Sequence, residues 1–382
     1  MKNVLEVINL FSSAKLFIGG RFSFLQEKGL NMHLICSPSP ELNSFTEKLK
    51  IKSKAVCIER QISPIKDIVA LIEICKYIRR NNINIIVGHQ AKGVLLAVLA
   101  GKIMNVQKII IFAHGILFET TSGIKRKIFI WESRLESICA HKIVCVSESV
   151  ARVRRLEKID KKEKQVILGK GTCGGIDTVY KFNPELINLE DQVSLKKKYK
   201  INDSDFVIGF SGRLVKDKGI IELIKAFKLI KKRRPDENIK LMIIGGQEKR
   251  DSIPQELIDY FNEASDIICT GHIDGNVELY YSLFTILVLP SYREGFPTIV
   301  LEASSMKIPV LTTKKTGCID SIIENETGFY VDITPESIAD GIEKLFDSEL
   351  RRKMGEKGRS HVVENYDHSK VWPYVEILYK GD

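Results

Sequence analysis

The sequence predicts an α/β fold of two Rossmann-like domains, each a parallel sheet wrapped by helices, and three observations carry that reading. Short apolar runs rich in β-branched residues alternate with stretches of helical periodicity along most of the chain. A length of 382 residues is enough for two domains of ordinary size, each with its own core. Near the middle a polar, Lys-rich stretch from Asn183 to Ser204 interrupts the alternation and reads as a linker.

In the first half, strands are expected at Val4–Ile8, Met32–Cys36, Ala55–Ile58, Ile83–Val87, Lys108–Ala113 and Lys142–Val146. Between and after them, helices are expected at Lys15–Lys28, Pro64–Arg80, Ala91–Met104, Lys125–Ala140 and Glu148–Lys158. From Val166 the chain turns Gly-rich before entering the polar stretch. The second half repeats the alternation, with strands at Phe206–Phe210, Lys240–Ile244, Ile267–Thr270, Phe284–Leu289, Pro309–Leu311 and Gly328–Val331 and a helix at 220–234. These readings set a first domain at 1–182, a linker at 183–204, a second domain at 205–365 and a C-terminal helix at 366–382 that returns toward the first domain. No sequence repeat relates the two halves.

Composition narrows the class. Hydrophobic residues at 44% and charged residues at 28% are those of a soluble globular protein. The net charge of +10 is polarised, with 29 Lys and Arg against 15 Asp and Glu in residues 1–180, and 29 against 33 in the rest. A basic half suits an anionic membrane surface, a diphosphate-bearing acceptor or nucleic acid, and equally suits a solvated surface. Nucleic acid is disfavoured, because the densest basic run, Arg152, Arg154 and Arg155, has no interleaved aromatics and belongs to no known module. The eight cysteines form no C-x-x-C pair and read as reduced, buried thiols of a cytoplasmic protein. Cys139, His141 and Cys145 lack a fourth ligand nearby, so no metal site is expected there. Glu6 breaks the apolar run that a signal peptide needs, and Val94–Ala100 is too short to span a bilayer, so membrane contact is expected to be peripheral, at the inner face of the cell membrane.

The stretch Pro290-Ser-Tyr-Arg-Glu-Gly-Phe-Pro-Thr-Ile-Val-Leu-Glu302 carries the chemistry. It follows a buried strand, at the carboxyl end of a sheet where ligands of open α/β folds sit. Pro297 suits the first turn of a helix over Thr298–Ser305, which leaves the backbone N–H groups of Gly295 and Phe296 as an anion cradle. Glu294 before the helix and Glu302 one turn inside it place two carboxylates toward one pocket, where they accept hydroxyl hydrogen bonds. The plainer alternative is that one complements the helix dipole and the other is solvated.

After the strand at 206–210, Ser211-Gly-Arg-Leu-Val-Lys-Asp-Lys-Gly219 brings Arg213 and Lys218 to a helix start, where a guanidinium and an ammonium hold a pyrophosphate. Together these two segments resemble the G-R-L-x-x-x-K-G and E-x7-E elements of the retaining GT-B glycosyltransferases of glycosyltransferase family 4, strongly over residues 205–335 and weakly before. The resemblance implies two Rossmann-like domains facing across a cleft and transfer of a sugar from a UDP-linked donor to an acceptor hydroxyl with retention of configuration. It implies no cofactor beyond the nucleotide diphosphate sugar that serves as donor substrate. Glu294 corresponds to the group that grips the sugar hydroxyls, Glu302 to the ribose contact, and Arg213 and Lys218 to the diphosphate contacts, with Gly295, Phe296, Pro297 and Thr298 at the helix start. Further matches are Gly246 after a strand, Ile273 at the base pocket, Thr316-Gly317-Cys318 in a turn, and His114, which resembles the histidine that touches the donor sugar beside the β-phosphate. Gly169 to Asp177 resembles the segment that ends the first domain, although a tight turn explains its glycines equally well.

One departure stands out. Many family members carry Gly-Gly in the loop after the first strand, whereas here that loop falls at Phe11–Ala14 and holds no glycine, so it would act through the Ser12 or Ser13 hydroxyl or lie farther from the phosphates. Such loops resemble those of the subgroup that extends lipid-linked surface polysaccharides in bacteria, which implies a polyprenyl-diphosphate-linked acceptor in capsule, O-antigen or exopolysaccharide synthesis. The sole D-x-D, Asp203-Ser-Asp205, lies in the linker, so metal-independent chemistry is expected. Two rival readings remain: a GT-B nucleotide-sugar epimerase, which needs catalytic carboxylates in the first domain, and a non-catalytic nucleotide-sugar binding protein.

Overall fold

A computed structural model describes residues 1–59, 61, 63–248 and 253–381. The chain divides into two compact units, Met1–Gly175 with Ser369–Asp382, and Ile176–His368.

Among the described residues the first unit is built on seven parallel strands: β1 Lys2–Ile8, β2 Leu30–Cys36, β3 Lys52–Ala55, β4 Ile85–His89, β5 Lys108–Ala113, β6 Lys142–Cys145 and β7 Gln165–Val166. Their order in the sheet is β3-β2-β1-β4-β5-β6-β7, so the winding reverses between β1 and β4. At that reversal Ile8 is in register with His89, and His89 with Phe112. The connecting helices are α1 Phe11–Phe17, α2 Gly19–Glu27, α3 Leu42–Lys48, α4 Pro64–Arg80, α5 Ala91–Ile103, α6 Gly123–Cys139 and α7 Glu148–Leu156. Apolar strands covered by helices on both faces form the core, and α5, apolar nearly all round, packs on β4, β5 and β1.

The single helix expected at Lys15–Lys28 is two, broken at Ile18, where the backbone leaves helical geometry. The expected loop at Phe11–Ala14 is the first turn of α1, so the chain goes directly from strand to helix and needs no glycine there. Strand β3 lies at 52–55 instead of 55–58, and β7, two residues long, is too short to leave an apolar run in the sequence.

Among its described residues the second unit carries six parallel strands, β8 Phe206–Ser211, β9 Ile239–Ile244, β10 Ile267–Gly271, β11 Ile286–Leu289, β12 Val310–Thr312 and β13 Gly328–Tyr330, in the order β10-β9-β8-β11-β12-β13. Here the winding reverses between β8 and β11. The helices are α8 Leu189–Lys198, α9 Ile220–Arg233, α10 Gln255–Glu263, α11 Val277–Tyr281, α12 Thr298–Ser305, α13 Pro335–Lys344 and α14 Ser348–Tyr366. The polar stretch 183–204 holds α8, whose first N–H groups are capped by the Asn188 side chain. A last helix, α15 His368–Lys380, runs mostly in the first unit, where Trp372 Nε1 donates to the Gly174 carbonyl at 2.8 Å and Lys108 Nζ to the Leu378 carbonyl at 2.6 Å.

All eight cysteines are free thiols, but not all are buried as the sequence suggested: Cys57 and Cys269 are exposed. His141 spends Nδ1 on the backbone N–H of Ile109, at 2.9 Å. Among the described residues no helix is long and apolar enough to cross a membrane.

Candidate active site

In the second unit three loops leave the carboxyl ends of neighbouring strands at the winding reversal, where an α/β sheet opens a crevice. The loop after β8 runs through a short 3-10 turn, Lys216–Lys218, into α9; the loop after β11 runs to Pro297 and α12; the turn after β12 spans 313–317. Hydrogen bonds tie them together. The Asp217 carbonyl accepts from the Tyr292 N–H at 2.8 Å and from Ser291 Oγ at 3.0 Å, while the Asp217 carboxylate pairs with Arg293 at 2.7 Å. Glu294 donates its N–H to the Thr316 carbonyl at 2.9 Å. Two glycines make the close approach possible. At Gly219, φ is +67° and a Cβ would lie 2.0 Å from the Pro290 carbonyl oxygen; at Gly317, φ is +78° and a Cβ would lie 2.6 Å from the Glu294 carbonyl.

This scaffold holds Lys218 and Glu294 in a half-buried ion pair, with the two side chains 17% and 13% exposed. Gly295 and Phe296 are buried, and among the described residues no acceptor meets their N–H groups. Pro297 stands just before the helix and not within its first turn, and Thr298 is its first residue. Among the described residues Glu302 on α12 shares no partner with Glu294. Its Oε2 lies 2.8 Å from the hydroxyl of Tyr281, which is 3.0 Å from Ser211 Oγ. A phenol has one proton, so Tyr281 donates to the carboxylate and accepts from the serine. Burial raises the Glu302 carboxyl above its ordinary range, against the lowering influence of Tyr281 and Lys181, and burial also raises the Tyr281 phenol.

The other expected residues are placed less centrally. Arg213 is exposed and pairs with Glu248 at 2.9 Å, so the structure does not set it beside Lys218. Gly246 follows β9, with open space where a side chain would be, and its carbonyl accepts from the Leu214 N–H at 3.0 Å. Ile273 is half-buried in the loop after β10. Both carboxylates of the D-x-D are engaged, Asp203 by Lys196 at 2.7 Å and buried Asp205 by Lys240 at 2.9 Å. No group of metal-ligating side chains occurs among the described residues.

The first unit has a second constellation at its own winding reversal. His114, just past β5, has Nε2 2.9 Å from Nδ1 of His89 at the end of β4. Nε2 of His89 is 2.6 Å from Oε2 of Glu6, in the middle of β1. The other Glu6 oxygen receives the Tyr379 hydroxyl at 2.7 Å and Arg21 Nη2 at 3.2 Å, and Arg21 Nη1 donates to the Cys173 carbonyl at 3.0 Å. Glu6, Arg21 and His89 are buried, and His114 is half-buried. Sequence reasoning reached His114 but missed Glu6, Arg21 and His89, although a carboxylate inside an apolar strand was a visible signal. Ser13, on α1, accepts from Gln90 Nε2 at 2.8 Å.

Two family models match the chain. Residues 7–147 match the family described as glycosyl transferase 4-like, and residues 191–361 the family described as glycosyl transferases group 1. Each half of the chain thus matches a glycosyltransferase family model, and the two matches together span most of its length. Over 383 aligned residues this glycosyltransferase is 29% identical to the capsular polysaccharide biosynthesis glycosyltransferase CapM of Staphylococcus aureus, covering 99% of this chain and 97% of CapM. It is 24% identical to the UDP-Gal:alpha-D-GlcNAc-diphosphoundecaprenol alpha-1,3-galactosyltransferase of Escherichia coli, covering 94% and 91% of the two chains. The fold is that of the GT-B glycosyltransferases. It aligns at a TM-score of 0.81 and 14% identity with Anabaena Alr3699/HepE in complex with UDP-glucose, covering all of both chains. With a glycosyltransferase from Rickettsia africae the TM-score is 0.79 at 21% identity, covering 100% of this chain and 99% of the other.

Much of the basic surface of this glycosyltransferase is used internally. Arg154 is buried in a two-bond pair with Asp160 at 2.6 and 2.9 Å, Arg155 pairs with Glu148 at 2.7 Å, and Lys164 closes the carbonyl end of α6. Lys125 and Lys127 remain exposed on α6, beside exposed Ile124, Ile128 and Trp131.

Proposed function

We propose that the protein transfers a sugar, with retention of configuration, from a UDP-linked donor to a hydroxyl of a polyprenyl-diphosphate-linked saccharide in capsule-type polysaccharide synthesis. The observation that carries this reading is the Lys218–Glu294 pair beside the buried, unengaged N–H groups of Gly295 and Phe296. An ammonium and a helix start stabilise a departing diphosphate, and a carboxylate one residue before them grips sugar hydroxyls. Glu302, its Oε2 held by Tyr281, has Oε1 to accept from the ribose. Arg213, on an exposed loop, exchanges Glu248 for the diphosphate, and His114 contacts the donor sugar. No metal is required in this scheme, because Lys218, Arg213 and the start of α12 neutralise the leaving group. The names of the S. aureus and E. coli relatives support the polysaccharide and undecaprenol-linked assignment.

The lipid-linked acceptor implies docking at the inner face of the membrane. Exposed Lys125 and Lys127, with Ile124, Ile128 and Trp131 on the same helix, give α6 a basic rim around apolar side chains suited to an anionic bilayer. An epimerase is less well supported: the carboxylate placed at the first unit's winding reversal, Glu6, is wholly buried and held by Arg21, Tyr379 and His89.

Incubating the protein with a panel of nucleotide sugars, with and without chelator, and following donor hydrolysis by NMR tests the proposal. One UDP-sugar should be hydrolysed slowly, giving the retained anomer first, at a rate the chelator leaves unchanged. Hydrolysis of none would favour the binding protein, and loss of activity restored by magnesium or manganese would place the leaving group on a metal.

A further inference from the structure

We propose that Glu6, acting through His89, fixes which nitrogen of the His114 ring carries the proton, so that His114 offers bare Nδ1 as a hydrogen-bond acceptor to the donor sugar. The inference rests on the proposed reading of His114 as a donor contact. It deepens that reading by adding two positioning residues, Glu6 and His89.

The heavy-atom geometry determines the wiring. Glu6 Oε1 already receives two donors, the Tyr379 hydroxyl at 2.7 Å and Arg21 Nη2 at 3.2 Å, which leaves Oε2 for His89 Nε2 at 2.6 Å. A carboxylate only accepts, so His89 Nε2 carries a proton. A neutral imidazole protonated there has bare Nδ1. That nitrogen faces His114 Nε2 at 2.9 Å, which must therefore be the donor, and the remaining nitrogen of His114 is an acceptor. Among the described residues Nδ1 of His114 has no partner, so the chain of hydrogen bonds ends on an open lone pair.

The charge states agree with this wiring. Burial raises the Glu6 carboxyl, but His89 and Arg21 outweigh it and hold the group below its ordinary value. Burial lowers both histidines: for His89 it outweighs the upward pull of Glu6, with Arg21 adding to the lowering, and for His114 both His89 and Arg21 add to it, so both rings are held in the neutral form near pH 7. The groups facing the cluster are Glu6 on β1, Arg21 on α2, His89 on β4, Tyr379 on α15 and Cys173; the ring of Phe112 stacks on His89 at 4.5 Å and that of Phe17 lies 5.4 Å from His114.

A purely structural role accounts for this network poorly. Burying an ion pair removes two charges from water, and apolar side chains of the same volume serve a core as well or better. The bonds also run in one direction, across β1 and β4, to His114, whose Nδ1 has no partner among the described residues. In serine proteases a buried carboxylate likewise sets the tautomer of a histidine that does the chemistry, on an unrelated fold.

The substitution Glu6→Gln reverses the polarity. Because Arg21 and Tyr379 both donate, the Gln oxygen takes the Oε1 position and its NH2 faces His89, which must then carry its proton on Nδ1 and donate to His114 Nε2. The His114 proton moves to Nδ1, and an acceptor becomes a donor. The test is long-range 1H–15N NMR of the histidine rings in the full-length chain, read beside donor kinetics and UDP binding. In the unsubstituted protein at neutral pH, His89 and His114 should both be Nε2–H tautomers. In Glu6→Gln, His114 should shift to Nδ1–H while kcat/KM for the donor falls on the order of 10²-fold and UDP affinity is kept. Should Glu6→Gln fold poorly, His89→Phe removes the bridge and should leave His114 a mixture of tautomers. An Nδ1–H His114 in the unsubstituted protein would overturn the proposal, as would a His114 tautomer untouched by either variant, or a shifted tautomer with unchanged kcat/KM. The tautomers are read without turnover, so failure of the wiring is distinguishable from failure of the proposed transferase reaction.

Discussion

Lys218 and Glu294, carried on the loops that follow β8 and β11, form an ion pair at the point where the second sheet reverses its winding. They come from positions 76 residues apart, yet the strands they follow are neighbours in the sheet. The pair is preorganised: the diphosphate and the sugar would meet a cation and a carboxylate already held in place by the loop hydrogen bonds to Asp217 and Thr316. Glu294→Ala and Lys218→Ala should each lower transfer by about 10²–10³-fold with the fold retained in circular dichroism. Transfer within about tenfold of the parent in either variant would remove that residue from the site.

Arg213 offers a contrasting case. Its pair with Glu248 is exposed, so Arg213→Ala should change stability by less than about 1 kcal/mol in denaturant titration. If Arg213 moves onto the diphosphate, the same substitution should cost about 10²-fold in kcat/KM. An unchanged kcat/KM would leave Arg213 a surface residue, as it stands in the structure.

The two glycines that hold the loops should be intolerant of side chains. Gly317→Ala places a Cβ 2.6 Å from the Glu294 carbonyl at a positive φ, and Gly219→Ala places one 2.0 Å from the Pro290 carbonyl. Each should destabilise by roughly 1–3 kcal/mol and also reduce activity, because relief of the clash displaces Glu294 or Lys218. Thermal melts read beside donor turnover check this; an unaltered melting temperature would contradict it.

Much of this was legible in the sequence, and what was missed has physical reasons. Long apolar strands such as Lys108–Ala113 and the helix Pro64–Arg80 announced themselves by periodicity, and Thr298–Ser305 by its Pro and its spacing. The break at Ile18 was signalled by the Gly19-Gly20 pair that follows it, residues of poor helix propensity, but the longer helical pattern around them masked it. Strand β7 pairs only two residues, so tertiary contacts decide it. The site divides similarly. Glu294 and Lys218 stood in recognisable strings, whereas the partnership of Glu302 with Tyr281, and of Glu6 with Arg21, His89 and Tyr379, depends on strand order and on the return of the last helix, which no local pattern encodes.

Acid should unfold the protein through its buried histidines. Burial, with Lys52 adding to it, pushes the ring of His33 down to about 4, and the His33–Tyr77 contact at 3.0 Å lies in the core of the first unit. Below about pH 6.5 the unfolded chain gains a proton on this residue while the folded chain stays neutral until about pH 4, so stability falls as pH drops through that window. His89 and His114, lowered likewise by burial, act in the same sense. The His33 contribution is on the order of 1–3 kcal/mol, and denaturant midpoints for His33→Phe should show a shallower fall between pH 6.5 and 4 than the parent. Parallel curves for the two proteins would remove His33 from the account.

The apolar and basic face of α6 should govern membrane association. Co-sedimentation with vesicles should rise with anionic lipid and fall with salt, and should weaken when Lys125 and Lys127 become Ser or Trp131 becomes Ser. Equal binding to neutral and anionic vesicles would separate the charge asymmetry from docking, and no binding to either would point to a soluble acceptor.

The central claim is that the Lys218–Glu294 crevice of the second unit takes the diphosphate of a nucleotide sugar, and calorimetric titration of UDP into the parent and Lys218→Ala proteins tests it most directly. The account predicts metal-free binding of UDP to the parent, weakened at least about tenfold by the substitution, because an ammonium that neutralises a phosphate is lost. Equal affinity in the two proteins, or binding only when a divalent cation is added, would contradict it.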